Sequence, residues 1–139
     1  MPKGFRAFAH CVCRIHLHIV FVTKYRHPVI NEQIEARLKT MMTRLCETQK
    51  CILLECKADL GKQDHIHLLV DMAPDIAVSR LVNTLKTITS REIRKEFAQY
   101  LKPYYWKPVF WKRGYCSASV GGATLSVLKQ YIEEQGYDD

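Results

Sequence analysis

The chain has 139 residues, 47% hydrophobic and 25% charged, with a formal charge of +7. That is one globular domain with room for a core, and it excludes a low-complexity chain. No stretch is apolar enough to cross a membrane, and the basic start "MPKGFRAFAHC" lacks the apolar run of a signal peptide, so a cytoplasmic protein is expected. Lys and Arg number 21 against 14 Asp and Glu, a balance that suits an anionic partner such as nucleic acid. The basic residues are spread along the chain, so folding must assemble any footprint.

Residues 11–24, "CVCRIHLHIVFVTK", are β-branched and apolar with polar residues interleaved, which predicts one long strand. Cys11 and Cys13 within it read as small core residues. No C-x-x-C pair occurs, so zinc-finger and thioredoxin-like motifs are absent, and all six cysteines read as reduced thiols, as expected in the cytoplasm. From Asn31, a capping residue, Ile34, Leu38, Met41, Met42 and Leu45 recur at helical spacing. "CILLECKAD" (51–59) and "HIHLLVDM" (65–72) predict a hairpin around the turn "LGKQD". A helix, or two, opens near Asp75 and buries Ile76, Leu81, Leu85 and Ile88. An aromatic, basic stretch broken by Pro103 and Pro108 ends in a short strand around Tyr115–Val120. After "GGAT" a last helix runs to Gly136. Trp106 and Trp111 suit the core or a stacking platform equally well. The order β-α-β-β-α-β-α is that of a ferredoxin-like split βαβ unit, an α+β antiparallel sheet with helices on one face, plus a terminal helix. Many unrelated functions use that fold, so function must come from a site.

Two motifs stand out. "QDHIHLLVD" carries His65 and His67, and "RIHLHIV" carries His16 and His18. Alternate residues of a strand share a face, so either pair could converge on one ion, and histidine is the commonest protein metal ligand. A lone H-x-H is more often two hydrogen-bonded imidazoles on a half-exposed strand. The second pair follows a turn and Asp64, so it opens a strand where a site is accessible. The first reads as mid-strand, where a neighbour covers it. In "LKQYIEEQG", Tyr131 and Gln135 lie four apart, on one face of a helix, with Leu125, Leu128 and Ile132 on another.

"QDHIHLLVD" followed by "VLKQYIEEQG", with "HLHIVFVTKYRHPVI" before and "FWKRGYCSASVGG" between, resembles the single-tyrosine HUH transposases, the transposase A proteins of small bacterial and archaeal insertion sequences. The resemblance covers essentially the whole chain. Gln63 departs from it, standing where the family has proline. The resemblance implies a single domain over 1–139, with a core at 10–120 and a mobile catalytic helix at 124–135. It makes Tyr131 the nucleophile, His65, His67 and Gln135 ligands of Mg²⁺ or Mn²⁺, and Asp64 a supporting group. His16 and His18 fall outside the motif and revert to structure. The implied substrate is single-stranded DNA with subterminal hairpins, cut and rejoined through a 5′-phosphotyrosine. Arg14, Lys24, Tyr25, Arg26, Lys112 and Arg113 are the candidate DNA contacts. The resemblance also implies a homodimer whose tyrosine helix can serve the partner's histidine pair. On physical grounds the long first strand would offer an edge for pairing with a second copy unless something covers it, and Gly121 and Gly122 a flexible joint. Three alternatives remain open at this point: a non-catalytic nucleic-acid binder, a metal-dependent hydrolase that does not use Tyr131, and a domesticated relative that cuts repeats.

Overall fold

The computed structural model describes residues 3–120 and 125–137. Four strands form one antiparallel sheet in the order β4 (Ile52–Ala58), β5 (His65–Asp71), β3 (His16–Val22), β6 (Cys116–Ser119). Helices α1 (Glu32–Thr48) and α2 (Val78–Glu96) connect them, and a short α3 (Ala98–Leu101) follows α2. This is the split βαβ arrangement, with β3 and β5 central. Asn31 caps α1 as its sequence indicates, accepting from the Ile34 amide at 2.9 Å.

The first predicted strand is not continuous. Cys11–Cys13 (β2) pairs instead with Arg6–Phe8 (β1) in a separate two-stranded hairpin. Cys11 is exposed there and Cys13 only partly covered, so neither is a core residue. The other expectation tied to that strand also changes. Its central part, β3, bonds β5 on one side and β6 on the other. It offers no free edge to a second copy, and His16 lies at its start rather than mid-strand.

The two sheet faces differ. Ile19, Phe21, Ile66, Leu68 and Val70 pack under α1 and α2 with Leu38, Met42, Leu81 and Leu85. Thr89 is buried where Ile88 was expected. It donates to the Leu85 carbonyl at 2.6 Å and accepts from the Trp111 indole at 3.0 Å. The opposite face carries a smaller cluster of Val20 and Val22 with Leu128 and Ile132 of α4 (Leu125–Glu133). Helices therefore lie on both faces. The glycine joint at 121–122 and Thr124 lie outside the described residues.

Candidate active site

In β5, Ile66 is fully buried while His65 and His67 are half-buried on the other face. The pleat of a strand produces this alternation. Val22 lies opposite His65, Val20 opposite His67 and His16 opposite Asp71. All four histidines thus belong to the face that α4 covers. His16 Nε2 lies 3.3 Å from Asp71 Oδ2, and Arg6 donates to Asp71 Oδ1 at 2.9 Å. That ionic cluster sits at the far end of β5 from His65. His18 is different. Its Nδ1 stands 2.8 Å from His67 Nε2, with ring centroids 4.9 Å apart. Its position at the site had a sequence signal: the first and third strands of a split βαβ sheet are neighbours, so two H-x-H strands there can share a face.

His65 is held by its neighbour. Its Nδ1 donates to Asp64 Oδ1 at 2.8 Å, and Arg26 Nε donates to Asp64 Oδ2 at 3.1 Å. Both partners of that ion pair are buried. Burial pushes the Asp64 carboxyl up, but the His65 hydrogen bond and the Arg26 charge outweigh it and hold its pKa below the usual value. Tyr25 and Arg26 adopt left-handed backbone, φ 58° and 52°, as the chain leaves β3. Gln63 is also left-handed, at φ 59°. Proline is locked near −65°, so the departure at Gln63 fits a turn that proline could not make.

Helix α4 docks through Leu128 and Ile132. A cavity of about 240 Å³ opens beside it, lined by His65 and His67 from the sheet, Asp59 and Lys62 from the turn, and Lys129 and Glu133 from α4. Successive helix residues are about 100° apart, so Tyr131 projects roughly 160° away from Lys129. It does not line the cavity. It packs instead against the Val20 cluster near Cys116, on the β6 side. Burial, and secondarily Cys116, push its pKa above the ordinary value. The helix ends at Glu133, before Gln135. The Gln135 amide nitrogen donates to the Tyr131 carbonyl at 3.1 Å, and Arg26 donates to the Gln135 carbonyl at 3.1 Å. The expectation that Tyr131 and Gln135 share one helical face therefore fails, because the helix stops short. This docked arrangement brings His65 and His67 together without Tyr131.

The donors present fit a divalent ion in part. Asp64 occupies Nδ1 of His65, which leaves Nε2; His18 occupies Nε2 of His67, which leaves Nδ1. Two imidazoles suit a first-row ion such as Mn²⁺ better than Mg²⁺. Among the described residues no group of three or more His, Cys, Asp or Glu is gathered as a metal cluster.

The candidate DNA contacts divide by exposure. Arg14 and Arg113 are exposed, and Lys24 and Tyr25 are partly covered, the Lys24 ammonium lying 5.3 Å from the Tyr25 ring centre. Arg26 and Lys112 are buried, contrary to expectation for surface contacts. Arg26 neutralises Asp64, and Lys112 donates to the Gly136 carbonyl at 3.4 Å. Both therefore hold the segment after α4. Trp111 is core, but Trp106 is 84% exposed, with the Lys107 ammonium 5.3 Å from its ring centre.

Residues 11–135 match the family model described as transposase, IS200 like. The chain is 31% identical over 134 residues to the transposase for insertion sequence element IS200 of Salmonella typhimurium, covering 96% of this chain and 85% of that protein. It is 27% identical over 135 residues to the ISDra2 transposase TnpA of Deinococcus radiodurans, covering 97% and 91%. A crystal structure assigned to a transposase from Deinococcus radiodurans superposes with a TM-score of 0.83 at 25% identity, covering 94% of this chain and 98% of that one.

Proposed function

Since the chain belongs to the IS200-like transposase family, and is therefore an enzyme that acts on DNA, we propose that it cuts and rejoins single-stranded DNA at hairpin-bearing element ends, with Tyr131 as nucleophile and His65 and His67 as the metal pair. The observation that carries the reading is the His65–His67 face, held by Asp64 and opening on a cavity beside the helix that bears the family's tyrosine. A bound divalent ion would draw charge from the phosphate oxygens and offset the weak nucleophilicity of a phenol. The Tyr131 oxygen attacks phosphorus, an O–P bond forms, and the bond to the 3′ oxygen breaks. The phenol gives up its proton and the departing 3′ oxygen gains one. The 5′ end stays on Tyr131 until a second 3′-hydroxyl attacks the phosphotyrosine and reseals the strand. The stored covalent link removes any need for ATP.

In the docked position Tyr131 points away from the histidines, and burial disfavours its phenolate. The chemistry therefore needs α4 elsewhere. A homodimer in which α4 serves the partner's histidine pair meets that need, with Gln135 completing the ligands there. The test uses two inactive variants. Tyr131→Phe should abolish both cleavage and the detergent-stable DNA adduct while leaving DNA binding intact; cleavage by this variant would refute the nucleophile. Mixed after subunit exchange with His65→Ala, it should regain activity, because some sites then combine an intact tyrosine with an intact pair. No recovery in demonstrated heterodimers would refute the trans arrangement and leave the chemistry standing.

A further inference from the structure

The contact between His18 and His67 has a chemical consequence. His18 lies on β3, next to β5, and is offset by one pleat from His67, whose cross-strand partner is Val20. The 2.8 Å separation of His18 Nδ1 and His67 Nε2 is a full hydrogen bond. Between two neutral imidazoles, one nitrogen must bring a proton and the other a lone pair. Only two arrangements exist. If His18 donates, the Nε2 lone pair of His67 is taken, and neutral His67 carries its proton on Nδ1. No ring nitrogen is then left for an ion. If His67 donates from Nε2, its Nδ1 is bare.

We infer that His18 is a positioning residue for the metal pair: it accepts the Nε2–H of His67 and so turns the Nδ1 lone pair of His67 toward the ion. This rests on the reading of His65 and His67 as metal ligands. It gives His67 the counterpart of what Asp64 gives His65, an acceptor on the nitrogen that does not ligate. Metal-binding histidines almost always have such a partner, and removing it costs tenfold to a hundredfold in affinity. The two acceptors differ in kind. A carboxylate fixes its partner's tautomer unconditionally, whereas an imidazole does so only while its own proton sits on Nε2. A carboxylate in place of His18 would also put a second negative charge beside a partly buried pair. His16, two residues away, bonds Asp71 and touches neither metal-pair histidine in this way.

The test has two arms, neither depending on DNA cleavage. In the metal-free wild-type chain, two-bond nitrogen–proton correlation spectra should show His67 protonated on Nε2 and bare on Nδ1, with His18 bare on Nδ1. The opposite tautomer at His67 would overturn the inference. Binding of Mn²⁺ to the full chain, followed by electron paramagnetic resonance of the free ion, supplies the second arm. His18→Leu should weaken binding roughly tenfold to a hundredfold. His18→Asn, whose amide oxygen can stand where Nδ1 stood, should bind close to wild type. Unchanged affinity in folded His18→Leu would overturn the inference, as would equal loss in His18→Asn, since the imidazole itself would then be required. Should His18→Leu not fold, the tautomer arm decides alone. A wild-type chain that binds no Mn²⁺ would remove the metal reading and this inference with it. Wild-type binding with an indifferent His18 would remove the inference alone.

Discussion

Replacing Arg26 by Met tests how the site is tied to the fold. Arg26 is 9% exposed and Asp64 4% exposed, so the substitution leaves a carboxylate buried without its cation. Breaking a buried pair by removing one partner costs about 3–5 kcal/mol. Here Asp64 keeps the His65 Nδ1–H at 2.8 Å, which favours the lower half of that range. Arg26 also sits 4.5 Å from the Tyr137 ring centre, a further ~0.5–1 kcal/mol at an exposed site. We expect a loss of about 3.5–5 kcal/mol, read as a fall in the urea midpoint at constant slope. Asp64→Asn in the same chain should restore part of it, because a neutral amide needs no cation while its oxygen still accepts from His65. The acid limb should move as well. In the wild type the folded pKa of Asp64 is depressed, so its contribution is present above the unfolded value of ~3.9 and is lost as pH falls through the lower folded value. Without Arg26, burial acts against a weaker opposition and the loss begins at higher pH. A loss below about 1 kcal/mol, or strict additivity of the two substitutions, would refute the buried-pair argument.

His65→Ala and His67→Ala should lose metal-dependent cleavage, while folded His16→Ala keeps it; equal loss in His16→Ala would return the Asp71 cluster to the active site. Burial pushes the Cys46 and Cys56 thiols up to about 12. Their folded values exceed the unfolded value of ~8.5, so their contribution is complete below that pH and is lost as pH rises toward 12. Urea midpoints under reducing conditions should therefore fall from pH 8.5 to 10, against an opposite contribution from Lys86, which burial pushes down to about 8. Valine at both cysteine positions should flatten the fall; an equally steep fall in that variant would contradict the assignment. Trp106→Ala should weaken single-strand binding by about 1–3 kcal/mol if an unpaired base stacks there, and binding should fall steeply with salt. A Trp106→Ala chain that binds single strands as tightly as wild type would remove the platform.

The order of elements from the third strand on, both long helices and the placement of His65 and His67 on a strand were legible because each rests on a local pattern: period two in the strands, helical spacing between them, and Asn31 at a helix start. The break after Cys13 was not. Apolar alternation continues through "CRIHLH", and no Gly or Pro marks the change of partner. The partner, Arg6–Phe8, is three residues long and carries no strand signal of its own. The role of Arg26 was hidden for another reason. A basic residue in "TKYRH" reads as surface charge until the fold brings it beside Asp64, 38 residues along the chain. The end of α4 is not marked in the sequence, because "YIEEQG" has good helix formers up to Gly136, whereas the chain turns at Glu134 and engages Arg26 and Lys112.

How firmly α4 is held decides whether it can leave. Its seam is Leu128 and Ile132, and burying two such side chains is worth about 3–6 kcal/mol. The two polar ties, from Arg26 to the Gln135 carbonyl and from Lys112 to the Gly136 carbonyl, add about 1.5–3 kcal/mol each at most. Against this stands the ordering of a nine-residue helix, at about 1–2 kcal/mol per residue. A helix that short is not stable alone in water. Gains and costs are of the same order, so docking on its own sheet is marginal. By contrast, the helices on the other face bury a continuous core. A competing surface, whether DNA or a second copy, needs only a few kcal/mol to draw α4 away. The element carrying the proposed nucleophile is thus held more weakly than either long helix, while the histidines it must reach are fixed on the two central strands.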